Sequence, residues 1–210
     1  MTPLDRRTLI ATGAAALSLP GLAHAQPTTD PAATGDTRAT PAPTQDLPRA
    51  QTYSREEMVN GVSDFLGVTA EAAGGVIERV FASNGRPTGY IAGEEGSGAF
   101  VIGGRYGRGL LYMKDKDPIE VFWQGPSIGW DFGANASRVF SLCYDLQIPE
   151  AIFQRFPGVE GSAYFIGGLG VNYQKANGVT LAPIRAGVGL RLGANVGYLA
   201  YTRKRNLLPF

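Results

Sequence analysis

Two adjacent carboxylates, Glu94 and Glu95 in the stretch GEEGSG, are the residues here that could most readily do acid–base work. A glycan-cleaving enzyme needs two carboxyl groups facing one bond, about 5–9.5 Å apart. The stretch reads as a loop ahead of a strand, which makes the pair a solvated turn. On a strand, neighbours would point to opposite faces and could not share a bond. Imidazole chemistry is scarcer still. The only histidine, His24, lies in an N-terminal segment read below as removed. The mature chain then has no Ser-His-Asp or Cys-His catalysis and no histidine metal site. The single cysteine, Cys143, has no disulfide partner and cannot build a four-cysteine site. In VFSLCYDL it alternates with Val139 and Ser141, as a buried strand thiol would. The glycines follow strand spacing, with no complete G-x-G-x-x-G or phosphate loop. The expectation is no catalytic residue, no metal and no cofactor.

Binding chemistry is better represented. In residues 184–196, Ile184, Ala186, Val188, Leu190, Leu192 and Val196 share one parity, while Gly187, Gly189, Arg191, Gly193 and Asn195 share the other. IGWDFGAN repeats the split, with Gly129, Asp131, Gly133 and Asn135 opposing Ile128, Trp130, Phe132 and Ala134. In GGRYGRG, Gly103, Arg105, Gly107 and Gly109 share a parity. One face of each strand is bulky; the other is glycine broken by single polar residues. A sheet without side chains on one face can curl toward it. Arg105, Asp131, Arg191 and Asn195 are therefore the candidate floor of a concave ligand site for an anionic or hydroxylated molecule. A plain Asp131–arginine bridge is the alternative, because a buried charge must be paired. Tyr106, Trp123, Trp130, Tyr164 and Tyr173 could line a cleft or fill the volume that glycines leave, and Trp130 fits the core better than Trp123.

These residues need elements to position them. Ser54-Arg55-Glu56-Glu57 has the form of a capping box, followed by Met58, Val62, Phe65 and Leu66 on one helical face. Thr69 can cap a second helix carrying Val76, Ile77, Val80 and Phe81, stopped at Asn84-Gly85. After Pro87 the period changes to two. AFVIGGRYGRGLLYMK and IEVFWQG read as strands around a KDKDP turn, Pro149 opens a short helix, and Asn177-Gly178 marks a hairpin. The fold class expected is α+β: two N-terminal helices over a small, strongly curved antiparallel β-sheet or β-barrel of about eight strands. Sequential neighbours pairing in a meander is the economical topology.

The N-terminal segments stand apart. Residues 1–25 have paired Arg6 and Arg7, a short apolar run and an Ala-His-Ala cleavage signature, so they read as a signal peptide of the twin-arginine kind. Residues 26–52 are rich in Pro, Thr and Ala and read as a disordered linker. Residues 53–210 form one domain, expected to be periplasmic. The formal net charge of the whole chain is +1, which leaves no nucleic-acid footprint.

Long motifs carry a resemblance. RPTGYIAGEEGSGAFVIGGRYGRG, VFWQGPSIGWDFGAN, GVEGSAYFIGG, APIRAGVGLRLGANVGYLAYT and a final PF resemble the envelope integrity protein A family over residues 54–210. That resemblance implies a periplasmic role in maintaining the cell envelope and a compact barrel-like fold, with no catalytic residue to carry across. Gly103 to Gly109, with Trp123, Pro126 and Ser127, are also similar to SYLF lipid-binding domains. That similarity implies a lipid or membrane-surface ligand. Arg203, Lys204 and Arg205 would then be a basic membrane-surface contact, against the plainer reading of an exposed, solubilising end. The expected function is a non-catalytic binding role on an envelope lipid, glycan or protein, with no membrane span after signal removal. A carboxylate-based glycan-cleaving enzyme and a small outer-membrane barrel are the alternatives.

Overall fold

The computed structural model describes residues 49–98, 104–126, 137–186 and 197–206. Two helices open the domain, α1 at Arg55–Leu66 and α2 at Ala70–Asn84. The capping box forms as the sequence predicts: Ser54 Oγ accepts from Glu57 N–H at 3.2 Å, and Glu57 accepts from Ser54 N–H at 2.6 Å. Thr69 caps α2 by accepting from Ala72 N–H. Gly67, at φ 69°, ends α1 in the left-handed conformation that lets the chain turn straight into the second helix.

Ten strands follow: β1 Gly89–Gly98, β2 Gly104–Met113, β3 Ile119–Pro126, β4 Ser137–Tyr144, β5 Arg155–Pro157, β6 Tyr164–Ile166, β7 Leu169–Val171, β8 Gln174–Ala176, β9 Val179–Ala186 and β10 Tyr198–Thr202. A 3-10 turn begins at Pro149 as expected. Asn177 and Gly178 take positive φ in the β8–β9 hairpin. GEEGSG is not a loop: it is the second half of β1, paired with β2 throughout and with β4 from Gly93 to Glu95. Extended alternation from Tyr90 onward prevails there over the turn propensity of glycine.

Every pairing is antiparallel, but the order is not a meander. It runs β5-β10-β3-β2-β1-β4-β9-β7-β6, with β8 also on β9. Sequential neighbours pair within β1–β2–β3, β6–β7 and β8–β9 only. β4 returns to the free edge of β1 and β10 to that of β3, so the sheet grows outward in both directions from β1 and β2. Its two ends then meet: Gly158, just past β5, bridges Gln174 in β8, and Val159 N–H donates to Tyr173 C=O at 2.8 Å. The curled sheet thus comes back on itself, with β7 and β6 branching off β9.

The curl separates two apolar cores. Outside, Met58, Val62 and Leu66 of α1 with Val76, Ile77 and Val80 of α2 cover Phe140, Leu142, Tyr144, Ala182 and Ile184. Inside, Ile91, Leu111, Val121, Trp123, Val139, Cys143, Leu181, Phe156, Leu199 and Tyr201 pack together. Burying a Leu, Ile or Phe stabilises by about 1.5–3 kcal/mol each, so both faces contribute substantially. The glycine parity is the inner one. Gly93 of β1 lies opposite Gly109 of β2, and Glu95 lies opposite Gly107. A Cβ at Gly109 would fall 2.5 Å from Ala92 C=O and 2.8 Å from Gly93 Cα. The missing side chains let the strands close together, as the alternation implies, but the inside is filled rather than left as an empty hollow.

A candidate binding site at the polar end of the barrel

Toward the far end of β1 the interior turns from apolar to ionic. Glu95 is 6% exposed and accepts from three strands at once. Arg185 on β9 reaches across β4 and donates from Nε to Oε1 and from Nη2 to Oε2, both at 3.1 Å. Arg105 on β2 places Nε 3.3 Å from Oε1. Trp123 on β3 reaches across β2 and donates from Nε1 to Oε2 at 2.9 Å. The last contact explains Gly107. Trp123 lies directly opposite it, and any Cβ at Gly107 would overlap the indole ring. Without that gap the ring could not cross a whole strand, about 4.8 Å wide, to reach Glu95. The same ring passes over Gly93, whose Cβ would meet Cη2 at 2.8 Å.

Arg185 is anchored a second time, donating from Nη1 to Asn172 Oδ1 at 2.9 Å. Asn172 sits between β7 and β8, where the line of residues along β9 is broken. One carboxylate therefore ties β1, β2, β3 and β9 together and, through Arg185, the β7–β8 junction. Burial on its own would raise the Glu95 carboxyl pKa. The charges of Arg185 and Arg105, with hydrogen bonds from Arg185 and Trp123, outweigh it and hold the carboxyl below its ordinary range. Burial pushes the Cys143 thiol far up, in keeping with the inert strand thiol expected from its alternation.

Glu95 is held between Arg105 and Arg185. The outer member of the cluster, Arg105, has a side chain 20% exposed and also lines a shallow cleft open to solvent, with enclosed room for about one water molecule. Pro126, Gly158, Gln174, Gly197, Tyr198 and Leu199 complete the lining. The cleft lies at the seam where the sheet meets itself, because Gly158 and Gln174 are the residues that bridge it.

Of the predicted floor, Arg105 stands at this site, with Glu95 as its ionic partner. Asp131, Arg191 and Asn195 lie outside the described residues, as does Trp130. Trp123, the less certain aromatic in the sequence, is 2% exposed and belongs to the inner core. Tyr164 and Tyr173 meet each other, hydroxyl to hydroxyl at 3.3 Å. Arg203 packs 4.2 Å over the Phe153 ring and 4.0 Å from Glu150, while Lys204 and Arg205 are exposed. Sequence reasoning weighs Glu95 with Glu94 as a catalytic carboxylate or a solvated turn residue, not as part of the floor, and passes over Arg185. Their signal was present: Glu95 continues the parity of Gly93, and Arg185 that of Gly187 and Gly189.

The profile of envelope integrity protein A matches residues 51–210. A solved structure, a beta-barrel-like, uncharacterized protein from Brucella abortus, is 47% identical, with a TM-score of 0.70 over 76% of this chain and 99% of that one. No curated protein matches the chain. With the profile covering the whole curled sheet and both helices, this chain belongs to the envelope integrity protein A family.

Proposed function

We propose that this chain is a periplasmic, non-catalytic binding protein that supports the cell envelope by holding an envelope lipid or glycan component at the polar end of its barrel. The observation that carries the reading is Arg105, whose side chain belongs to the buried Glu95 cluster and also lines the open cleft at the seam. Asp131, Arg191 and Asn195 share the glycine parity and belong to the same proposed floor. Family membership supports the envelope role. Residues 1–25, read as an export signal, support the compartment.

The state of Glu95 argues against the glycan-cleaving alternative. Both of its oxygens are occupied by donors, and its lowered pKa leaves no proton to give at neutral pH. Glu94 is exposed on the opposite face and cannot be its partner. The outer-membrane alternative meets the helices, which cover the outer face of β4 and β9 where a spanning barrel would meet lipid. Among the described residues no helix is long and apolar enough to cross a membrane.

The test is mass spectrometry under native conditions on protein purified from its own envelope, wild type beside Arg105→Ala. The expected result is a small molecule retained by the wild type and lost from the variant. The fold should hold, because Glu95 keeps Arg185 and Trp123. Retention unchanged in Arg105→Ala would refute the assignment of the site.

A further inference from the structure

The walls of the barrel are unequal. β1 runs beside β2 from Gly89–Met113 to Gly98–Gly104, and β4 beside β9 from Val139–Arg185 to Tyr144–Thr180. Where β5 meets β8 the ladder shrinks to the single bridge between Gly158 and Gln174. Both strands are only three residues long, and Pro157 takes one amide donor away from β5. The seam is fastened by Val159 N–H to Tyr173 C=O at 2.8 Å, Tyr173 N–H to Ser162 Oγ at 3.1 Å and Asn177 Nδ2–H to Gln154 Oε1 at 2.6 Å. Its β8 side also carries two buried polar atoms without a partner, Gln174 Oε1 and Asn172 Nδ2. Shut away from water, each costs about as much as one such hydrogen bond contributes. The closed seam is thus penalised by groups at its own edge, and water satisfies them once the strands part.

We propose that the β5–β8 seam is a side gate, which opens as a local unit while the other walls of the barrel stay closed. Parting β1 from β2 would break a ladder along its whole length. Parting β5 from β8 breaks a few bonds and hydrates Gln174 Oε1 and Asn172 Nδ2 in exchange. The main resistance is Phe156, wholly buried with its ring 5.7 Å from that of Tyr201. That contact survives if β5 keeps its pairing to β10, from Tyr198–Pro157 to Ala200–Arg155. β8 likewise keeps its pairing to β9. The movement is then the separation of two short strands, each carried by an intact neighbour. Units that open below the cost of global unfolding have this character: few bonds, short elements, little surface exposed. An open seam presents the unpaired backbone edges of β5 and β8 to solvent. It gives the interior a lateral entrance, separate from the polar end, and it is independent of any ligand at Arg105.

Native-state hydrogen exchange on the intact mature protein tests the gate. The Val159 and Tyr173 amides should exchange about 100-fold or more faster than those of Tyr90 to Gly93 in β1. Low urea should leave the two seam rates almost unchanged, because local opening exposes little surface. Gln174→Leu should slow both seam amides by about tenfold, because no orphan acceptor is left for water to satisfy. A second measurement uses Gln174→Cys, with the native Cys143 on β4, two strands from β8, as the internal control. A thiol reagent, followed by peptide mass mapping, should label position 174 about 100-fold faster than Cys143. Equal labelling of the two positions would overturn the proposal, because the seam would then open only when the whole domain unfolds. So would seam amides that exchange at the β1 rate with the same urea dependence, or seam exchange unaltered in Gln174→Leu.

Discussion

Replacing Glu95 with Gln removes its negative charge from between Arg105 and Arg185 while keeping size and shape. The Arg185 side chain, 8% exposed, then stays buried beside a neutral amide. The amide oxygen can accept from one neighbour. Its NH2 group faces donors, either Arg185 Nε and Arg105 Nε on one side or Trp123 Nε1 and Arg185 Nη2 on the other. Breaking a buried ion pair from one side costs roughly 3–5 kcal/mol. In a domain of this size each kcal/mol moves Tm by about 2–4 °C, so a fall of about 10 °C follows. Urea titration at neutral pH reads the same loss as a lower midpoint with an unchanged slope. The pH dependence has a definite sign. Glu95 has a lowered pKa in the fold, against about 4.3 in the unfolded chain. Its contribution is complete above that unfolded value and disappears as pH falls through the folded one. The gap between wild type and Glu95→Gln should therefore narrow below about pH 4. Pairing Glu95→Leu with Arg185→Met should recover much of the loss, because an apolar pair of similar volume can replace a buried ion pair. A loss below about 1 kcal/mol, or a gap that does not change with pH, would refute the claim that this cluster holds the strands together.

Gly107→Ala should destabilise by about 1–3 kcal/mol and redshift tryptophan emission, because the new methyl overlaps Trp123 and pushes the indole off Glu95. Shrinking the ring in the same variant, Trp123→Leu, should cost less there than in the wild type, which a double-mutant cycle measures. Cys143 is fully buried, so a thiol reagent should modify it only at the rate of global unfolding, and fast labelling of the native protein would contradict the packing of the inner core.

The pattern of glycines proved the most informative part of the sequence. It identified the inner face of β2 and the bulky outer face of β9, and the helical periodicity identified the residues that cover that outer face. Pairing order was not legible. Sequential strands usually pair, yet β4 goes to β1 and β10 to β3, and nothing in local alternation distinguishes a strand that extends one edge from one that extends the other. The ionic cluster was half legible. Arg105 was found by its place among glycines. Glu95 was hidden by neighbouring Gly93, Gly96 and Gly98, whose turn propensity suggested solvent. Its partners, Trp123 two strands to one side and Arg185 two strands to the other, come together only once the register is known. The cleft depends on the Gly158–Gln174 seam, a contact between residues whose types carry no mark of it.

The claim that Glu95 ties the strands together at the polar end is tested most directly by NMR hydrogen exchange on isotope-labelled mature protein. The account predicts slow exchange for the Trp123 Nε1–H and Arg185 Nε–H in the wild type and fast exchange for both in Glu95→Gln. Fast exchange of both in the wild type would contradict it.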